Sequence, residues 1–111
     1  MPPSTTRRSG NDTVAPTLRV LPEVVAAVGD QVEVLMDGGI RRGSDVLKAL
    51  AMGAKACGIG RPYIWGLGSF GQKGVERVLE ILRTELEVDM QQCGVSDLNK
   101  ITKALYRRVS A

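Results

Sequence analysis

Apolar positions along the first third of this chain recur at a helical spacing and then close up into an unbroken strand-like run. Leu21, Val24, Val25 and Val28 share one face of a helix that opens at Leu21-Pro22-Glu23 and stops at Gly29. Proline suits a first turn, where its missing N–H would have no partner, and an acid beside it suits the helix dipole. Val32 to Met36 then read as a strand, halted at Asp37-Gly38-Gly39. A second helix is expected with Ser44 as N-cap, Asp45 in its first turn and Val46, Leu47, Leu50 and Ala51 as its stripe, ending at Gly53. Ala56 to Ile59 form a second strand. Pro62 to Leu67 form a short helical turn, followed by a loop over Gly68-Ser69-Phe70-Gly71. The longest helix runs from Lys73 to about Cys93, with Val75, Val78, Leu79, Leu82, Leu86 and Met90 as its core stripe. Ser96 would cap a last short helix carrying Leu98 and Ile101, ahead of the basic tail Arg107-Arg108.

Helices alternating with strands across short connections imply right-handed crossovers and a parallel sheet, an α/β fold. Parallel strands are ordinarily buried on both faces, and both strands are expected to be so here. Two strands alone leave unprotected edges, so the sequence reads as part of a larger sheet. Residues 1–17, rich in Pro, Ser, Thr and Arg, read as a flexible lead-in or a surface loop, and 18–111 as the folded part.

Composition narrows the picture. With 111 residues the chain holds at most one domain, and 43% apolar content excludes compositional disorder. Aromatics are only 4%, so the core must be aliphatic. The net charge of +3 is spread along the chain, and Lys and Arg alternate with Glu on the longest helix, which argues against a nucleic-acid partner. No apolar run reaches the roughly 18 residues of a transmembrane segment. The first residues lack the apolar centre of a secretory signal, so a cytoplasmic protein is expected. Cys57 and Cys93 match no zinc or redox spacing and read as buried free thiols, with no metal site implied. The chain contains no histidine, which limits the acid–base chemistry it can perform alone.

Candidate chemistry gathers at the two strand ends. Asp37, Gly38, Gly39, Ile40 and Arg41 follow the first strand, and Gly60 and Arg61 follow the second. Bare backbone amides and fixed positive charge at adjacent strand ends suit a phosphate. Paired glycines let a ligand approach the main chain, and an arginine fork can place two donors on phosphate oxygens where lysine cannot. The plainer reading of Gly38-Gly39 is a tight turn closing a strand. Arg41 reads as a ligand contact and Arg42 as solvated. Tyr63 and Trp65 read as packing between the second strand's loop and the last helix rather than as stacking residues, and Asp45 with Lys48 as an exposed pair of little worth.

These residues carry a family resemblance. Leu21-Pro22-Glu23-Val24, Met36-Asp37-Gly38-Gly39-Ile40-Arg41-Arg42-Gly43-Ser44-Asp45-Val46, and Lys48-Ala49-Leu50-Ala51-Met52-Gly53-Ala54 resemble the C-terminal part of the FMN-dependent α-hydroxy-acid dehydrogenases and oxidases. Gly60-Arg61-Pro62-Tyr63-Ile64-Trp65-Gly66-Leu67 strengthens the match. The resemblance covers about residues 12–108 and includes L-lactate dehydrogenase (cytochrome), lactate oxidase, glycolate oxidase and mandelate dehydrogenase. It implies a C-terminal fragment of a (β/α)8 TIM barrel, with the two strands as strands seven and eight, where such barrels hold phosphate. It implies FMN as cofactor, contacted by Asp37, Gly38, Gly39, Ile40 and Arg41, with Gly60 and Arg61 on its phosphate and Asp37 able to accept from ribityl hydroxyls.

The family also has a Ser-Asn-His-Gly-Gly-Arg stretch after strand six. Its histidine takes a proton from the substrate and its arginine binds the substrate carboxylate. Residues 4–11 here do not match it, and neither Arg7 nor Arg8 takes the substrate role. The expectation is therefore the FMN-phosphate part of an enzyme oxidising L-2-hydroxy acids to 2-oxo acids, inactive as an isolated chain. The alternatives are a non-catalytic phosphate- or FMN-binding module and a self-associating barrel fragment, with a homo-oligomer as one outcome.

Overall fold

Two short parallel strands, each followed by a helix, carry the arrangement in the computed structural model, which describes residues 17–105. In chain order the elements are α1 (Thr17–Val28), β1 (Leu35–Asp37), α2 (Gly43–Ala51), β2 (Ala56–Gly58), α3 (Arg61–Phe70) and α4 (Gln72–Gln92), followed by 3-10 turns at Leu98–Lys100 and Lys103–Leu105. The strands pair in parallel with Leu35 opposite Ala56, Met36 opposite Cys57 and Asp37 opposite Gly58. The Lys55 N–H donates to the Val34 carbonyl at 2.8 Å and extends the pairing by one step. An α/β fold with a parallel sheet is what the alternating pattern predicts.

Two apolar clusters hold the elements together. The first joins Leu21 from α1, Val34 and Met36 at β1, Ile40, Ala49 from α2 and Ala54. The second joins Leu47 and Ala51 of α2 to Met90 of α4 and to Ile101. Helix α2 thus lies between both clusters, turning Ala49 to the sheet and Leu47 to α4. Among the described residues, no helix is long and apolar enough to cross a membrane.

Several boundaries differ from the sequence expectation. The chain is already helical at Thr17, so Pro22 sits inside α1 rather than opening it. Its ring removes the N–H that would have reached the Leu18 carbonyl, and burial of Leu21 with Leu18 against the first cluster holds the turn regardless. Val32 is not in β1. Its N–H is spent on the Val28 carbonyl at 3.0 Å, closing the end of α1. Helix α2 begins at Gly43 with Arg42 as N-cap, so Ser44 lies inside the first turn. Helix α3 includes Gly68, Ser69 and Phe70, because the helical ladder continues until the Gly71 N–H meets the Leu67 carbonyl at 2.9 Å. Asp97 rather than Ser96 caps the first 3-10 turn, accepting from the Asn99 N–H at 2.9 Å, and Leu98 is exposed while Ile101 is buried.

The expectation of strands buried on both faces fails. Met36 is 2% exposed but its neighbour Leu35 is 42% exposed, and Ala56 and Gly58 are open to solvent. Side chains alternate along a strand, and α1 and α2 cover only the Val34–Met36 face. Leu79 is likewise exposed on α4, so the stripe there is narrower than its spacing implied. Cys93 is exposed, and only Cys57 is half-buried, its thiol pushed up to about 11 by burial. Residues 1–16 and the Arg107-Arg108 tail lie outside the described residues.

Candidate functional site

The register of the sheet decides where the motifs meet. With Asp37 opposite Gly58, the segments 38–42 and 59–60 leave the sheet side by side at the C-terminal ends of both strands. A Cβ on Gly58 would stand 3.2 Å from the Asp37 Cβ, so glycine there lets the two strand ends close up. Gly38 and Gly39 have φ of 90° and 78°, the left-handed region where glycine carries no side-chain penalty. Nothing lies within 4 Å of a Cβ built on Gly39 or on Gly60, so both main-chain segments face open space. Asp37 Oδ1 is buried without a hydrogen-bond partner among the described residues. A buried acceptor left open at the rim of a glycine-lined edge fits a ligand that brings hydroxyl donors.

Two helices start at this edge, and they differ. At α2 three main-chain donors leading into the helix are already taken: Arg41 and Arg42 N–H both donate to Asp45 Oδ2 at 3.0 Å, and Gly43 N–H donates to Glu85 Oε1 at 3.0 Å. At α3 the first bond of the ladder runs from Ile64 N–H to the Gly60 carbonyl at 3.2 Å, and Pro62 has no N–H to satisfy. The N–H groups and positive dipole end of α3 are therefore the ones left for an anion.

The cations sort in the same way. Arg42 is committed to Glu85, with Nε 2.8 Å and Nη2 2.6 Å from Oε2. It is not the freely solvated side chain the sequence implied. Arg41 and Arg61 have no carboxylate partner among the described residues. Arg41 instead lays its guanidinium over the Trp65 ring, 5.3 Å from the centroid. Trp65 is 53% exposed and Tyr63 39%, so neither is packed under α4 as expected. Arg61 and Trp65 stand four residues apart on α3 and share one face, which brings Arg41 to the face that carries Arg61. Ile40 is 3% exposed in the first cluster, so only its main chain faces the edge. Asp45 is engaged with main-chain N–H groups rather than paired with Lys48.

Sequence reasoning missed Glu85 and the role of Trp65. Neither lies near the glycines in sequence, and nothing in a helical stripe marks the one glutamate that reaches back to α2. A shallow hollow lined by Asp30, Val32, Glu33 and Lys55 opens at the opposite, N-terminal end of the strands and shares no residue with this edge.

Residues 9–108 match the family described as FMN-dependent dehydrogenase. The chain belongs to that family. It is 54% identical over 97 residues to 2-hydroxyacid oxidase 1 of Mus musculus, covering 87% of this chain and 26% of that protein. It is 52% identical over 103 residues to pre-mycofactocin synthase of Mycobacterium tuberculosis, covering 91% of this chain and 26% of the relative. Among solved structures, a mandelate oxidase mutant with a monooxide FMN adduct superposes with a TM-score of 0.76 at 46% identity, over 80% of this chain and 28% of that one. The chain thus spans about a quarter of the length of the curated relatives it matches. FMN is the cofactor of the FMN-dependent dehydrogenases, and the glycine-lined edge with its open acceptor and two uncommitted arginines is consistent with part of such an enzyme's barrel.

Proposed function

We propose that this chain forms the FMN-phosphate end of a (β/α)8 enzyme that oxidises L-2-hydroxy acids to 2-oxo acids, with β1 and β2 as strands seven and eight. The observation that carries the reading is the pairing of Asp37 with Gly58, which sets the Gly38-Gly39 turn beside the start of α3. In this reading Gly60 and Arg61 hold the phosphate, the α3 dipole stabilises its charge, and Arg41 adds a second guanidinium. The main chain at Gly38, Gly39 and Ile40 borders the ligand, with Gly39 clear of every neighbouring side chain. The buried Asp37 oxygen accepts from ribityl hydroxyls.

Bound FMN would supply the hydride acceptor for the oxidation. In this reading the chain's residues bind and orient, and the histidine that takes the substrate proton in this family has no counterpart in the sequence. A missing general base costs about 10²–10⁴-fold by itself. The chain is therefore assigned the cofactor-holding role, with proton abstraction and carboxylate recognition supplied by other segments of the enzyme.

Titrating FMN and riboflavin into the purified chain, followed by flavin fluorescence, tests the assignment. FMN is expected to bind more tightly than riboflavin, and Arg61→Ala to remove the difference. Equal binding of the two flavins by the wild-type chain would overturn it. Adding lactate or glycolate to the FMN-loaded chain is expected to leave the flavin oxidised; bleaching would overturn the non-catalytic assignment.

A self-associating fragment is the second reading. It is favoured by the exposed Ile64, Leu67 and Phe70 of α3 and by Leu35 on the open sheet face. Sedimentation of the chain as a monomer at all concentrations would exclude it.

A further inference from the structure

We infer that Trp65 is a positioning residue: its indole face holds the Arg41 guanidinium beside Arg61, so that two arginines converge on one phosphate. The inference rests on the phosphate assignment above and adds to it the device that keeps Arg41 in place.

Four observations carry it. Arg41 Cζ lies 5.3 Å from the Trp65 ring centroid. Arg41 is anchored at its own main chain, its N–H donating to Asp45 Oδ2 at 3.0 Å, so only the side chain is left to be placed. Arg42, Arg77 and Arg83 each have a glutamate partner, whereas Arg41 has none among the described residues. Trp65 and Arg61 are an i, i+4 pair on α3, and side chains on a helix lean toward its N-terminus, so the indole leans toward Arg61 and the strand ends.

The physics of the stack explains the choice of residues. Arg41, from the segment between β1 and α2, and Arg61, on α3, repel when brought together, and neither has an ion-pair partner among the described residues. A carboxylate would relieve the repulsion but would also occupy the donors and repel an incoming anion. An indole relieves it through its negative face while leaving every N–H in the guanidinium plane free. The face of Arg41 is used for stacking and its edge remains for phosphate oxygens. A ligand with a dianionic terminal phosphate suits this pair of forks, and a neutral flavin gains nothing from it.

Trp65 is the sole tryptophan, so its emission reports on the stack directly. In the ligand-free chain, Arg41→Ala is expected to change the emission and acrylamide quenching of Trp65; identical spectra would overturn the inference without any ligand present. For binding, Trp65→Leu is expected to weaken FMN about fivefold and leave riboflavin unchanged, while Trp65→Phe, which keeps an aromatic face, stays within about twofold of wild type. In an Arg41→Ala background, Trp65→Leu should cost nothing further. Equal losses for FMN and riboflavin in Trp65→Leu would mark a structural role and overturn the inference. If Arg61→Ala loses FMN selectivity but Trp65→Leu and Arg41→Ala do not, the positioning role falls and the phosphate assignment stands. A wild-type chain that does not distinguish FMN from riboflavin removes both.

Discussion

Arg42 and Glu85, 43 residues apart, are joined at 2.6 Å between Nη2 and Oε2, and the other oxygen of the same carboxylate accepts the Gly43 N–H at 3.0 Å. One glutamate on α4 thereby fixes both the N-cap and the first helical residue of α2. That contact needs glycine at position 43, because a Cβ there would collide with the α4 main chain at Leu86. The clamp thus grips the end of segment 38–42, which carries the candidate site.

The clamp is expected to titrate. The hydrogen bond from Arg42, then that from Gly43, hold the Glu85 carboxyl below its ordinary value of 4.5. A depressed folded value means the contribution is complete above 4.5 and is lost as pH falls below it toward the folded value. Arg42 is held charged, its own value raised chiefly by the hydrogen bond to Glu85. Thermal unfolding of Glu85→Ala and wild type should therefore converge below pH 4.5 and separate above it. Parallel curves across that range would show the pair contributes no pH-linked stability.

The corner between α3 and α4 depends on two glycines in contact. A Cβ on Gly66 would stand 2.5 Å from the Gly74 carbonyl oxygen, and one on Gly74 would meet the Gly66 carbonyl oxygen closer still. Neither neighbour is a flexible side chain that can swing aside. Gly66→Ala and Gly74→Ala should each lower stability by about 1–3 kcal/mol or more by overpacking, read from urea unfolding. Gly60→Ala, which meets nothing within 4 Å, should leave stability nearly unchanged.

Burial separates two leucines that look alike in sequence. Leu21 is fully buried in the first cluster, and Leu21→Ala should cost about 2–5 kcal/mol. Leu35, 42% exposed on the open face of β1, should tolerate Leu35→Thr with a loss within about 0.5 kcal/mol. A large loss at Leu35 would show that a further element or a second copy covers this face in solution.

The two thiols should differ in reactivity. Cys57, held protonated by burial with its value pushed up to about 11, should resist a disulfide reagent at neutral pH until the chain unfolds. Exposed Cys93 should react at once, and Cys93→Ser should abolish the fast phase. Two fast thiols would mean that β2 is open to solvent on its inner side.

Local chemistry determined much of this protein. The alternation of helix and strand, the glycine stops at 38–39 and 53, the long α4 and the paired motifs after each strand all follow from rules acting over a few residues. So does the family, because its motifs are contiguous. What lay beyond local rules was every relationship between distant segments. Whether Val32 joins a strand turned on its N–H being used at the end of α1. Whether a strand face is buried turned on which helices cover it, and Leu35 is open because α1 and α2 lie on the other side. Arg41 and Arg42 are identical neighbours in sequence, yet one meets an indole and the other a carboxylate. Only the tertiary packing, which brings α4 onto the start of α2 and Trp65 of α3 under Arg41, could assign them different work, since the groups that distinguish them come from helices far along the chain.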